Sequence, residues 1–174
     1  MKTLKYTVDT LCFIFPSDWI VAKFDDWAYY RKHFIRMGDR IKAMDLVALA
    51  PDKTLYLIES KDYRHHKRTS SEPLVEVLLG KALGTLGALL PASVHASKRQ
   101  EREEARAFLE ARNIRLVLHL EQPLRKSKLF PQSFDRVNLL DAMKKRLKPL
   151  DPHPWVCSGA IVPGASPLWS VEDA

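Results

Sequence analysis

Asp45 and Glu59 each interrupt an apolar, strand-forming run: Ala43-Met44-Asp45-Leu46-Val47-Ala48-Leu49 and Leu55-Tyr56-Leu57-Ile58-Glu59-Ser60-Lys61. A carboxylate inside such a run is costly to bury unless a cation or hydrogen-bond donors meet it, so both positions call for a chemical reason. Side chains alternate across a strand, which groups Leu55, Leu57, Glu59 and Lys61 on one face and Asp45 with Val47 and Leu49 on another. Between the runs lies Pro51-Asp52-Lys53, a turn sequence. A three-residue turn pairs residue 50 with 54 and sets Asp45 opposite Glu59, provided Lys53 accepts a left-handed conformation. A two-residue turn sets Ile58 opposite Asp45 and sends the acids to opposite faces unless a bulge restores the register. In the first register two carboxylates about 5 Å apart repel, and magnesium or manganese held by hard oxygen ligands is the usual compensation. Lys61 would reach the same pocket, to activate a water or stabilise charge building on a phosphate. The plainer alternative is a salt bridge of Lys61 with Glu59 or Asp45 at a strand end.

The elements that must position these groups follow from hydrophobic period and punctuation. Residues 17–32 predict a helix, with Ser17 as N-cap and Ile20, Val21, Phe24, Trp27 and Ala28 at helical spacing. Residues 34–40, 41–50 and 54–63 predict three strands in a meander. A helix follows over 72–90, with Pro73 in its first turn and an apolar face of Val75, Leu78, Leu79, Ala82, Leu86 and Leu89. Its Gly80, Gly84 and Gly87 suggest close approach of another element. Residues 97–112 predict a charged helix, 114–120 an internal strand, 133–147 a basic amphipathic helix with Phe134, Val137, Leu140 and Leu147 inward, and 155–162 a last strand. The order predicts an α/β layered domain with a mixed sheet over 1–162, followed by a loosely held tail over 163–174.

Composition narrows the setting. The chain has 174 residues, 46% hydrophobic and 28% charged, which suits one compact domain and excludes a disordered tail. The longest weakly charged stretch, 78–91, is shorter than the roughly 20 residues of a membrane helix, so no membrane span or secretory signal is expected. Cys12 and Cys157 make neither a disulfide framework nor a zinc site, which fits a cytoplasmic setting. The net charge of +7 points to an anionic partner such as nucleic acid, and the excess concentrates in 31–42, 61–71 and 123–148.

Asp45, 13 intervening residues, then Glu59-Ser60-Lys61 on adjoining strands, within the order helix, strands, helix, strand over about residues 17–120, resembles the PD-(D/E)XK or restriction-endonuclease-like nucleases. The resemblance implies a three-layer domain with a central mixed β-sheet flanked by helices. It casts Asp45 as a shared metal ligand, Glu59 as the second carboxylate, Ser60 as a ligand through its backbone carbonyl, and Lys61 as the catalytic lysine, with Mg2+ or Mn2+ as cofactor. Pro51-Asp52 is not the Pro-Asp of that family, because it lies in the turn after the first acid. Members often place another acid on the first helix. Asp25, which flanks the buried edge, is the candidate here rather than Asp26. Glu76 is expected in a solvated position.

Beyond the motif, Tyr63, Arg64, His65, His66, Lys67 and Arg68 are placed to grip phosphates, with Tyr63 or a histidine stacking on an unpaired base. Adjacent histidines in a basic loop with no cysteine pair nearby do not make a zinc site. Lys144 and Lys145 lie on the basic helix, which either tracks a nucleic-acid backbone or is a solvated face. The expectation is a metal-dependent nuclease hydrolysing phosphodiester bonds in DNA, endonuclease rather than exonuclease. It would be structure-directed as a homodimer or targeted by a protein partner. A non-catalytic nucleic-acid-binding or assembly subunit is the alternative, and RNA remains open as the polymer.

Overall fold

Alternation along the strands divides the core into two halves, one on each face of a five-stranded sheet. The computed structural model describes residues 2–65, 68–123, 134–159 and 168–174. In chain order the strands are β1 (Thr3–Val8), β2 (Leu11–Pro16), β3 (Ile20–Lys23), β4 (Leu46–Leu49), β5 (Thr54–Asp62), β6 (Asn113–Glu121), β7 (Trp155–Cys157) and β8 (Ser170–Asp173). The helices are α1 (Ala28–Lys32), α2 (Leu74–His95), α3 (Arg99–Leu109) and α4 (Arg136–Leu147). The central sheet runs β3-β4-β5-β6-β7, and a smaller one runs β1-β2-β8. β3, β4 and β5 are antiparallel, whereas β6 and β7 join in parallel. The parallel step from β5 to β6 needs a long crossover, which α2 and α3 provide.

Val47, Leu49, Leu55, Leu57, Leu116, Leu118 and Leu120 pack toward the helices. Leu46, Ala48, Tyr56, Ile58 and Val117 pack toward Phe13, Phe15, Trp19 and Trp169 under the smaller sheet. The class is α/β with a mixed sheet, as the sequence predicts. One face of that sheet is covered by helices and the other by strands, so the two-sided helical flanking does not describe this chain. α2 has the length and apolar composition of a membrane-crossing helix, but one side of it, with Leu78, Ala82 and Leu89, is buried on the sheet.

Several predicted elements are corrected. The helix over 17–32 is instead β3, a 3-10 turn over Phe24–Asp26 and the short α1. Val21 and Ala22 are buried in opposite halves of the core, the period-two pattern of a strand, and pairing with β4 overrides the helical spacing of the larger residues. The strand over 34–40 is a 3-10 turn, Phe34–Met37. In the last strand 155–157 pair with β6, and 160–162 lie outside the described residues, as does residue 133 of the basic helix. That helix buries Leu139, Met143 and Leu147 and leaves Val137 exposed. The chain end, expected to be loose from 163, returns as β8 paired to β2, with Trp169 in the core.

Of the three glycines in α2, Gly84 is the one pressed by a neighbour. A Cβ built there lies 2.0 Å from the Lys42 carbonyl oxygen. One residue on, Thr85 Oγ1 accepts from the Met44 N–H at 2.9 Å. These two contacts lay residues 42–44 on α2 and so set the height of Asp45. Gly84→Ala must push backbone away from backbone, and we expect it to cost about 2 kcal/mol, lowering Tm by about 6 °C in a calorimetric scan. Gly80→Ala, where a Cβ meets nothing within 4 Å, should be neutral or stabilising.

Candidate functional site

The turn between β4 and β5 settles the register. Lys53 has φ 65°, its N–H donates to the Ala50 carbonyl at 3.0 Å, and the Ala50 N–H donates to the Thr54 carbonyl at 3.0 Å. Asp52 Oδ1 accepts from the Thr54 N–H, and the Lys53 carbonyl accepts from the Arg112 N–H, which together hold the left-handed residue in place. Leu46 then pairs with Ile58, and one step further Asp45 faces Glu59. This is the three-residue register.

Asp45 Oδ2 accepts from the Ser60 N–H at 2.8 Å. Glu59 is 0% exposed, and Lys61 Nζ lies 2.5 Å from its Oε1. A fourth group, unforeseen in the sequence, completes the cluster. Lys81 of α2 places Nζ 2.6 and 2.7 Å from the two Glu59 oxygens and 3.1 Å from Asp45 Oδ1. The signal for it was present: Lys81 breaks the apolar stretch of its helix, three residues after Leu78 and four before Thr85, both buried inward positions. Asp25 stands in the 3-10 turn after β3, close enough for the Asp45 charge to act on it, and its Oδ1 is buried with no hydrogen-bond partner among the described residues.

Burial, then the charge of Asp45, pushes the Glu59 carboxyl up to about 7, with Lys81 and Lys61 pulling against them. Burial works against the charge on Lys81, but Glu59 and Asp45 outweigh it and hold its pKa above the ordinary lysine value. Asp25 is likewise raised, by burial first and by Asp45 and Asp26 next. Once Glu59 is ionised, above about pH 7, two carboxylates and two ammonium groups face one another in the cluster. A divalent cation between Asp45 and Glu59 would have to displace the Lys81 ammonium, and among the described residues no three acidic, histidine or cysteine side chains converge on a metal position. In this arrangement the donor set fits an ammonium and not a divalent ion.

A cleft of about 400 Å3 opens above the cluster, and Lys42, Lys61, Arg68 and Lys81 line it together with Tyr63. Lys42 pairs with Glu72 at 2.8 Å. Arg68 donates to the Glu72 carbonyl and lies 5.4 Å over the Phe134 ring, which also meets Tyr63 at 6.0 Å. Of the other residues expected to bind phosphates, Arg64 is held by Asp62 and by Asp173, each at 2.7 Å. Burial favours the neutral Asp62 acid, but the bonds from Arg64 and Thr10 outweigh it and hold this carboxyl well below the usual range. His65 is exposed, while His66 and Lys67 lie outside the described residues. Lys144 and Lys145 are exposed on α4, where Lys145 pairs with Asp141. Glu76 is bound by Arg146 at 2.8 Å.

Comparison with known proteins bears on what this site serves. The chain is 30% identical to a cysteine–tRNA ligase of Neisseria meningitidis serogroup A in an alignment of 164 positions that takes in 77% of this chain. The chain spans only 23% of the length of that relative. No protein-family model matches the chain, and no solved structure does. The kinship with a ligase overturns the expectation of a metal-dependent endonuclease, a hydrolase of DNA.

Proposed function

We propose that this chain is an RNA-binding module of a protein related to cysteine–tRNA ligase, and that it holds RNA of the tRNA class by its phosphates in the cleft of Lys42, Lys61 and Arg68. The observation that carries the reading is the 30% identity across most of the chain to that ligase. The cleft supports it, because cations at a concave mouth attract a polyanion and need no base edge to do so. The resemblance to PD-(D/E)XK proteins enters as a reading of the scaffold: the Asp45 to Glu59 register and Glu59-Ser60-Lys61 on β5 support a restriction-endonuclease-like core. Its acid and lysine cluster acts as an electrostatic keystone beneath the cleft. The buried, unbridged Cys12 and Cys157 accord with a cytoplasmic role beside tRNA charging.

Fluorescence anisotropy with a cysteine-tRNA transcript tests the reading. With three cations engaged, the slope of log affinity against log salt should lie near about −2.5. Removing two of them in Lys42→Ala, Arg68→Ala should weaken binding about tenfold or more and flatten the slope by about 2. No RNA binding at low salt, or a double variant that binds as the parent does, refutes the assignment.

A further inference from the structure

We propose that a cleft at the start of β5 and β6 takes one nucleotide unit, with its base stacked on Arg115 and a single phosphate held by Arg112. Strand pairing assembles the site. Thr54 pairs with Asn113, Tyr56 with Arg115 and Val117 with Trp155, so these side chains share one face of the sheet, the face that carries the core of Phe15, Trp19 and Trp169. Together with Asp52 and Arg112 they border a cleft of about 590 Å3, inside the roughly 300–1,000 Å3 range of small-ligand pockets. Thr54 and Lys61 stand toward opposite ends of β5, about 23 Å apart at about 3.3 Å a residue, so this cleft is separate from that of Lys42 and Arg68.

Arg115 forms the platform. Asp151, 1% exposed, accepts from the Leu116 N–H and the His153 N–H, each at 2.8 Å, and from Arg115 Nη1 at 3.0 Å. The His153 carbonyl accepts from the same Nη1. Held in this way, the guanidinium lies over the Trp155 ring at 5.2 Å from its centroid, and the Tyr56 ring stands 5.8 Å from that of Trp155. Asp151 answers the charge of Arg115, yet 24% of the side chain stays exposed at the cleft. A planar cation fixed on an indole offers its outer face to a further π system, which is how an unpaired base is gripped. Arg112 supplies the second half of the site. Its backbone is tied to the Lys53 carbonyl, while its exposed guanidinium makes no ion pair or hydrogen bond among the described residues. A free guanidinium fork matches a phosphate. With Arg115 answered by Asp151, Arg112 and Asp52 are the opposed charges left among the lysine, arginine and acidic side chains of the cleft. That balance admits one phosphate and disfavours a polyphosphate tail.

The test follows the assigned indole N–H resonance of Trp155 in nuclear magnetic resonance titrations of the whole chain. Adenosine monophosphate should shift it saturably with a Kd of about 1 mM or tighter. Ribose 5-phosphate should leave it in place, and adenosine triphosphate should bind no more tightly than the monophosphate. Arg112→Ala should weaken monophosphate binding about tenfold. Arg115→Lys keeps a charge beside Asp151 but loses the plane, and should weaken it about tenfold with the urea midpoint unchanged, a split that a merely structural arginine would not give. The variant Lys42→Ala, Arg68→Ala should respond to the monophosphate as the parent does, so this site and the RNA cleft can fail separately. In that same variant, single-stranded hexaadenylate identifies the source of the nucleotide. Tighter binding than the monophosphate at the Trp155 resonance assigns an unpaired nucleotide of RNA, and equal or weaker binding assigns a free one. No Trp155 shift with either probe at about 5 mM overturns the proposal. So does an equal shift with ribose 5-phosphate, parent-like binding by Arg112→Ala, or a triphosphate that binds more tightly than the monophosphate.

Discussion

Lys81→Ala is expected to lower the unfolding free energy by about 4 kcal/mol at pH 8, the largest loss from any single substitution proposed for this chain. The Lys81 ammonium touches both oxygens of Glu59 and one of Asp45, and Glu59 has no exposed surface. Removing the ammonium leaves two facing carboxylates in the core, with Lys61 on Glu59 as the remaining cation among the described residues and the Ser60 N–H on Asp45. A buried charge stripped of its partner costs more than the pair contributed, so the loss should be largely recovered in Lys81→Met, Glu59→Gln, which removes charge from both sides. Urea midpoints with unchanged slope report both effects. A loss below about 1 kcal/mol in Lys81→Ala would show that water, not Lys81, satisfies the acids. Manganese adds a second readout. It should raise the midpoint of Lys81→Ala, where the acids are freed, and leave the parent unmoved. A parent stabilised by manganese would show that Asp45 and Glu59 take a metal with Lys81 in place.

How far this site was legible follows from the range of the interactions that build it. Asp45, Glu59 and Lys61 stand out because charge inside an apolar, alternating run is a local signal, and β-pairing carries that signal across a short turn. The register depended on one backbone angle, at Lys53, which is not a residue type that favours a left-handed conformation. Contacts from Asp52 and Arg112 hold it there, and Arg112 is distant in sequence. Lys81 was less visible because a lysine within a helix usually marks the solvated side. Only the depth of Leu78, Ala82 and Thr85 around it reveals that it points inward. The region 17–32 misled for the opposite reason. Its large residues recur at helical spacing, yet β3 forms there because β4 offers a partner edge and both cores need filling. Arg64 and Arg68 read alike as phosphate grips, but the partners of Arg64 include Asp173 at the far end of the chain, which no local pattern signals.

The acidity of Glu59 gives the chain a pH dependence of definite sign. Its carboxyl is raised from 4.5 to about 7 in the folded state, so between those values the folded protein holds a proton that the unfolded chain has released. Stability therefore falls as pH rises through this window and is flat above it. At 1.36 kcal/mol for each unit, the group contributes a decline of about 3 kcal/mol. Asp25 and Glu104 are raised as well and slope the same way, whereas Asp62, held low, loses its contribution only on the acid side of the ordinary aspartate range. Comparison with Glu59→Gln isolates the one group: the amide does not titrate, keeps the side chain's shape, and removes the repulsion from Asp45. Urea midpoints of parent and variant between pH 5 and 7.5 should diverge, the parent losing about 3 kcal/mol relative to the variant as pH rises. Parallel curves, or a parent that gains relative stability toward neutral pH, would mean that Lys61 and Lys81 keep Glu59 ionised throughout. The buried cluster would then act as a fixed ion network, not as a group that takes up a proton.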